Sequence, residues 1–454
     1  METPSSSCKD CHSQTKLGGP ACWTSEELLK SPFWGMRLTE TELQELHEAL
    51  TIAEPLVEWS EKKESDVAAV PLNVSKEIFP LNALARRLAD VSEELEHGKG
   101  VVMIENIPVD RYSLDQLGII YLGMSCYIGH VVLQSSSGLR SKSRGFSMPL
   151  GFIRAEMTGK TPLNGKQANN YFRLHTDRCD VISLLSIRTA SRGGQARVAS
   201  AVAIHDAMVE RAPHLVPKLY EPVPRIWEGG SGVISLPVWD TLADGRFTTQ
   251  ISPSYIENAQ HVNGVARLDG ETIEAIDLVE EIGLELGHSF VQTPGMLTFL
   301  NNHMVYHGRT AWKHESDAEG RDGLNNGRLL LRTWISPFNS RALPSEGAHA
   351  ESYRVMWGDV RAGAARGGLE PALAAGITQK APELVEAYAS GKAQYYGMYK
   401  RSYEGEDVLG DFVGGSVSTG MIGGVGEVGV EGGGGMEERT NTLASLLSHK
   451  TGAV

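Results

Sequence analysis

Apolar and polar residues follow two different periods along this chain of 454 residues, and the dominant period changes after about residue 180. In the first part the helical period prevails. Thr39 and Glu42 have capping-box spacing ahead of Leu43, Leu46 and Leu50 on one face, which predicts a helix opening near Leu38. Ala83 to Glu96 repeats that period and stops at His97-Gly98-Lys99-Gly100. Val101 to Ile104 is a continuous apolar run, read as a short buried strand, and Leu114 to Tyr127 is again helical. From Asp177 onward strand signals dominate, at Val181 to Ile187, Ala196 to Ala199, Arg246 to Ile251, Met296 to Leu300 and Arg328 to Ile335. Helical patterns interrupt them at Ala203 to Tyr220 and at Glu271 to Leu286, where Ile273, Ile276 and Val279 share the apolar face. Short strands of antiparallel type with helices between them predict a mainly β fold, a sandwich or jelly roll with flanking helices.

The same pattern divides the chain. Residues 1–22 read as a flexible leader, 23–97 as a helical segment packed on the core, 98–342 as the core itself, and 343–403 as a helical extension containing a helix over Pro382 to Tyr399. Glycine makes up nearly half of the residues from Gly410 to Gly435, so residues 404–454 are expected to be disordered. Gly424 to Gly429 fits G-x-G-x-x-G, but no strand precedes it and composition alone accounts for it. Ser135 to Asn170, rich in Gly, Ser, Lys and Arg, reads as a long loop beside a binding site.

Composition narrows the function. A formal charge of −14 argues against nucleic acid or another polyanion as partner, since such surfaces need clustered Lys and Arg. A small-molecule partner fits better, and association with further copies of the chain is left open. No apolar run approaches the ~20 residues that span a bilayer. Met1-Glu2-Thr3-Pro4-Ser5 lacks a basic region leading into an apolar one, so no membrane partner and a cytoplasmic location are expected. Five cysteines without a secretory signal read as thiols. Cys8-Lys9-Asp10-Cys11-His12 matches a haem-attachment pattern, and Cys22 offers a further zinc ligand, but neither site finds the partners it needs.

One stretch carries chemistry. On a strand, side chains alternate faces, so His175 and Asp177 point to one side and Thr176 to the other. A third ligand is available after the apolar run Met296 to Leu300, from His303 or His307. Two imidazoles and a carboxylate on one face of a divalent ion form the facial triad of non-haem Fe(II) oxygenases. In Arg328 to Ile335, a strand would put Arg328, Leu330, Arg332 and Trp334 on one face. Two buried guanidiniums need anions, and a dicarboxylate supplies them.

With His-x-Asp at 175 and 177, Asn-x-x-x-x-His-Gly-Arg-Thr-Ala from Asn302 to Ala311 and Arg-x-Leu-Leu-Arg-x-Trp from 328 to 334, the chain resembles the TauD/TfdA family of Fe(II)/2-oxoglutarate-dependent dioxygenases, of the clavaminate synthase-like type. The resemblance implies a double-stranded β-helix (jelly roll) core, with Fe(II), 2-oxoglutarate and O₂ as the cofactor set. It implies that His175, Asp177 and His307 ligate iron and that His303 is structural. It further implies that Arg332 pairs with the distal carboxylate of 2-oxoglutarate while Arg328 steadies the carboxylate that chelates iron. Asn301 and Asn302 are expected to cap the strand end. The family's Gly-Gly segment resembles Arg192-Gly193-Gly194-Gln195-Ala196, but Ala196 stands where a hydroxyl residue is usual, with Ser200 and Thr189 as nearby substitutes. The retained Asp177 favours hydroxylation, desaturation or ring closure over halogenation. Substrate-lining candidates are Tyr171, Arg173, Arg178 and Arg309, with Trp312 and Pro237-Val238-Trp239 as aromatic alternatives; the arginines would suit an anionic substrate. The competing readings are a metal-binding relative without turnover and a zinc hydrolase using the same triad.

Overall fold

Side-chain alternation along the strands decides what lies between two sheets and what lies behind them. The computed structural model describes residues 15–60, 69–135, 147–154, 171–226, 233–260, 262–313 and 327–367. In these, eleven strands build the two main sheets: β1 (Trp34–Met36), β2 (Val101–Ile104), β3 (Gly129–Val132), β4 (Gly151–Arg154), β5 (Phe172–His175), β6 (Val181–Arg188), β7 (Ala196–Ser200), β8 (His288–Phe290), β9 (Leu297–Asn301), β10 (Val305–Arg309) and β11 (Leu329–Pro337). Helices are α1 (Ser25–Leu29), α2 (Glu40–Ala53), α3 (Ala83–His97), α4 (Leu114–Ile128), α5 (Ala201–Arg211), α6 (Val216–Tyr220), α7 (Pro253–Ala259), α8 (Gly270–Leu286) and α9 (Ala350–Trp357).

The larger sheet runs β1-β2-β9-β6-β11-β3, with β4 also paired to β11; the smaller runs β8-β7-β10-β5. All these pairings are antiparallel except β1 with β2. Successive residues then serve opposite faces. Val102, Val181, Phe299 and Ile335 pack behind the larger sheet with the apolar faces of α2, α3 and α4. Their neighbours Val101, Ile182, Leu300 and Trp334 point forward and meet Val198 and Val305 of the smaller sheet. Behind the smaller sheet, Leu174, Ala199 and Tyr306 pack against α5, α6 and α8. The strand β11 is buried along its whole length, because both of its faces are covered and β3 and β4 pair in turn along one of its edges.

Local signals explain most helix starts. Thr39 and Glu42 form the capping box that their spacing predicts, with Glu42 Oε2 accepting from the Thr39 amide at 2.7 Å. The first amides of α3 are capped from a distance instead: Glu45 on α2 accepts from Asn82, Ala83 and Leu84. Asp269 caps α8 through the Thr272 amide at 2.7 Å.

Four expectations change. The helix read over Ala203 to Tyr220 is two, α5 and α6, separated at Ala212-Pro213, where proline cannot continue the hydrogen-bond ladder. The strand read over Arg246 to Ile251 shortens to Phe247–Thr249, hairpinned to Trp239–Thr241. The loop read over Ser135 to Asn170 contains β4 and the pair Gln134–Ser135 with Ser147–Met148. The end of the leader is fixed by side chains rather than by regular structure: Asp206 accepts from the Leu17 and Gly18 amides at 2.7 and 2.8 Å, and Ser200 Oγ donates to Ala21 O. The Cys8-Cys11-His12 cluster, the rest of the 135–170 loop, the helix read at Pro382 and the glycine-rich tail lie outside the described residues.

Candidate metal centre

His175 and His307 face each other across the antiparallel pair β5 and β10, an arrangement that brings Cβ atoms to roughly 5 Å. Their ring centroids are 4.2 Å apart. Beside them the register shifts, so that Phe172 to His175 on β5 spans only His307 to Arg309 on β10. This bulge resets the alternation. Phe172 and His175 both line the space between the sheets, while Arg173 and Leu174 turn toward the helices behind. Gly308 is required at the same point, since a Cβ there would lie 2.7 Å from Phe172 O.

Asp177 reaches the site differently from the expectation that one strand presents both ligands. β5 ends at His175. Thr176 does turn away, exchanging bonds with Ile251 (2.8 and 3.1 Å). The Asp177 amide then donates to Asn302 Oδ1 at 3.0 Å, and Asn302 Nδ2 donates to Cys179 O at 2.9 Å. Asn302 thereby clamps the connection carrying the carboxylate.

The donor atoms of His175, Asp177 and His307 lie within 4.8 Å of one another, with His175 Nε2 at 3.8 Å from Asp177 Oδ1. Hydrogen bonds orient His175 and Asp177. Arg173 O, which can only accept, lies 2.8 Å from His175 Nδ1, so the proton sits on Nδ1 and the Nε2 lone pair is presented. Asp177 Oδ2 accepts from Trp334 Nε1 at 3.0 Å and from an Arg332 guanidinium nitrogen at 3.2 Å, while Oδ1 is the oxygen that faces His175 Nε2. Two imidazole nitrogens and one carboxylate oxygen are a donor set that would hold a divalent iron beside the cavity.

That cavity lies between the sheets and has an empty volume of about 600 Å³, including the solvent at its mouth. Ile182, Leu184, Leu300, Leu330, Val198 and Phe290 form its apolar walls. Arg332 and the triad lie at one end, with Arg332 Nε donating to Gln134 Oε1 at 2.7 Å. Arg328, four residues back on the chain and so roughly 13 Å away along the strand, donates to Gln292 Oε1 at 3.4 Å. Its guanidinium carbon is 5.9 Å from the Trp312 ring centre. Arg309 joins it. Burial pushes Arg328 down to about 10, and burial together with Arg328 pushes Arg309 down to about 9; both remain cations at neutral pH. The order of the two strand arginines is therefore the reverse of that expected: Arg332 stands beside the triad and Arg328 is remote.

The other predicted residues fall in several places. Arg173 does not enter the cavity, because Glu257, Asp277 and Glu280 engage it at 3.1, 3.1 and 3.8 Å. Tyr171 donates to Glu280 Oε1 at 2.5 Å and accepts from Arg197; neither it nor the buried Arg178 lines the cavity, whereas Arg309 does. Trp239 is core, donating to Tyr306. His303 is structural, held between Asp180 at 2.7 Å and Thr248 at 2.8 Å, and burial lowers its pKa. Asn301 ties the turn to Leu95 O and the His303 amide. Thr310 accepts from the Gln195 amide, fastening β10 to the Gly193-Gly194 turn, where both glycines have positive φ. Ser200 is engaged as the α5 cap and by Ala21 O, so it does not replace the hydroxyl absent at Ala196.

Gln134 and Gln292 were not legible as site residues. Each is a single polar residue in a short strand or connection, and only long-range pairing carries it to an arginine. Trp334 had a signal, since it shares the face of Arg332.

The chain is similar to several known proteins. The FR-33289 synthase of Streptomyces rubellomurinus is 27% identical over 280 residues, covering 60% of this chain and 79% of that protein. A taurine hydroxylase-like protein of Stachybotrys chartarum is 24% identical over 310 residues, covering 65% and 74%. Among solved structures, asparagine oxygenase in complex with Fe(II), 2S,3S-3-hydroxyasparagine and succinate aligns with a TM-score of 0.49 at 15% identity, over 67% of this chain and 93% of that one. The model of the taurine catabolism dioxygenase TauD, TfdA family matches residues 66–334, more than half of the sequence. The chain belongs to the TauD/TfdA family of dioxygenases, enzymes that work with Fe(II), 2-oxoglutarate and O₂.

Proposed function

We propose that the protein oxidises a C–H bond of a small anionic molecule, by hydroxylation or a related desaturation or ring closure, while 2-oxoglutarate is converted to succinate and CO₂. The observation that carries this reading is the convergence of His175, Asp177 and His307 at one end of a cavity with buried arginines along it. In this reading the two sheets are the halves of a double-stranded β-helix. Iron, when bound, supplies the activation of O₂ that the side chains cannot.

The remaining work belongs to the chain. His175, Asp177 and His307 hold the metal from one side, and Asp177 keeps Oδ2 for Trp334 and Arg332. Arg332, beside Asp177, is placed to steady the carboxylate nearest the metal. Arg328 takes the distal carboxylate at the far end, where a charge-assisted pair in a buried setting gains most. Arg309 orients an anionic group of the substrate. Ile182, Leu184, Leu300 and Leu330 keep the reacting carbon away from bulk water.

An assay for succinate formed from 2-oxoglutarate tests this. Release is expected to require both O₂ and Fe(II), to fail with Zn(II), and to disappear in His307→Ala. Activity supported by Zn(II) without O₂ would instead favour hydrolysis by the same triad.

A further inference from the structure

Ala196 leaves a gap that the rest of the cavity fills in an unusual way. Its methyl group lines the cavity with Arg309 and Arg328, yet it can donate no hydrogen bond. On the neighbouring strand, Phe290 of β8 lies opposite Ala196, so the chain leaving β8 passes directly beside it. That chain then crosses to the larger sheet. The Gln292 carbonyl accepts from Ser186 Oγ at 3.1 Å, and the Gly295 amide donates to Ser186 O at 2.9 Å. Gln292 is thus fastened where the two sheets meet, buried at 6% exposure, with its side chain in the cavity.

The amide's orientation is set by charge. Its Oε1 accepts from Arg328 at 3.4 Å; the flipped amide would set its NH₂ against the guanidinium, donor against donor. Nε2 makes no hydrogen bond among the described residues, so a donor remains beside the guanidinium. Among the residues lining the cavity Thr298 carries the one hydroxyl, and its Oγ1 donates to Leu184 O at 3.4 Å.

We infer that the Gln292 carboxamide takes the place of the hydroxyl missing at Ala196, donating from Nε2 to the distal carboxylate of 2-oxoglutarate while Arg328 takes the other side of that group. Gln292 is then a positioning residue for the cosubstrate, and the chain leaving β8 beside Ala196 supplies the donor that β7 lacks. This rests on the 2-oxoglutarate reading given above.

Calorimetric titration of 2-oxoglutarate into the anaerobic Fe(II)-loaded full chain tests it. Gln292→Ala is expected to weaken 2-oxoglutarate about tenfold, the loss of one hydrogen bond to a charged group, and to leave the Fe(II) affinity of the apoprotein unchanged. Gln292→Glu, which keeps the shape of the side chain, is expected to weaken it about a hundredfold or more by placing like charges together. Adding Ala196→Ser to Gln292→Ala is expected to recover most of the lost affinity, which a merely structural role for Gln292 would not allow. Unchanged binding in both single variants, or no recovery in the double variant, would overturn the inference and leave the proposed function standing. No binding to wild type would overturn both.

Discussion

Asp177 is held from two directions, its amide by Asn302 and its Oδ2 by Trp334 and Arg332. In the proposed iron site a carboxylate fixed in this way need not be ordered when the ion arrives, so these bonds to Asp177 should contribute to metal affinity. Trp334→Phe removes a hydrogen bond to a charged acceptor, of about 1.5–3 kcal/mol. It is expected to weaken Fe(II) binding to the apoprotein by about tenfold or more while leaving the fold intact. Titration calorimetry checks this, and an unchanged Kd would show that Arg332 alone holds the oxygen. Arg173 gives the opposite lesson. Its place beside the metal motif suggested a substrate contact, but the bulge in β5 turns it to the three carboxylates behind the sheet.

At the scale of elements, the connection from Asp177 to β6 is braced by chain that lies beyond the family match. Asp180 accepts from Arg366 Nε at 3.0 Å on both oxygens and from Ser336 Oγ at 2.7 Å, with His303 at 2.7 Å. Desolvation alone would raise the Asp180 pKa, but Arg366 and His303 outweigh it and hold the carboxyl well below the usual range. A group depressed in the folded state contributes stability that is present above its unfolded pKa of about 3.9 and is lost as pH falls toward its folded value. Arg366→Met leaves Asp180 buried without its cation and is expected to destabilise the fold by about 3–5 kcal/mol at pH 7. The difference from wild type should shrink as the pH falls toward 4, because the orphaned carboxyl then protonates. Urea unfolding of both proteins across that range checks the sign, and a difference independent of pH would contradict it. The sequence made β6, β9 and β11 legible because apolar alternation and β-branched runs are local signals. It did not reveal this brace or the fastened leader, since both are made by single charged or polar side chains acting over more than 180 residues.

Across the described residues, two sheets leave a cavity between them and helices cover their outer faces. The proposed ligands His175 and His307 lie on the smaller sheet, Arg332 lies on the larger and Arg328 directly precedes its strand, so binding of the ion and of a dicarboxylate should fasten the sheets together. Fe(II) at a hundred times its Kd is expected to stabilise the fold by about 2.7 kcal/mol, visible as a higher Tm that is lost on chelation and absent in His307→Ala. The triad and both arginines were legible as a set because His-x-Asp and Arg-x-x-x-Arg are local spacings, although β5 ends at His175 and Arg328 precedes β11; their order along the cavity was not, since it depends on long-range contacts such as Arg332 with Asp177. In the proposed function one iron and one 2-oxoglutarate share this site. Anaerobic addition of 2-oxoglutarate to the Fe(II)-loaded protein is expected to produce the weak visible charge-transfer absorption of the chelate, absent in His175→Ala and requiring more 2-oxoglutarate in Arg328→Ala. No such absorption in wild type, or an undiminished one in His175→Ala, would contradict the account.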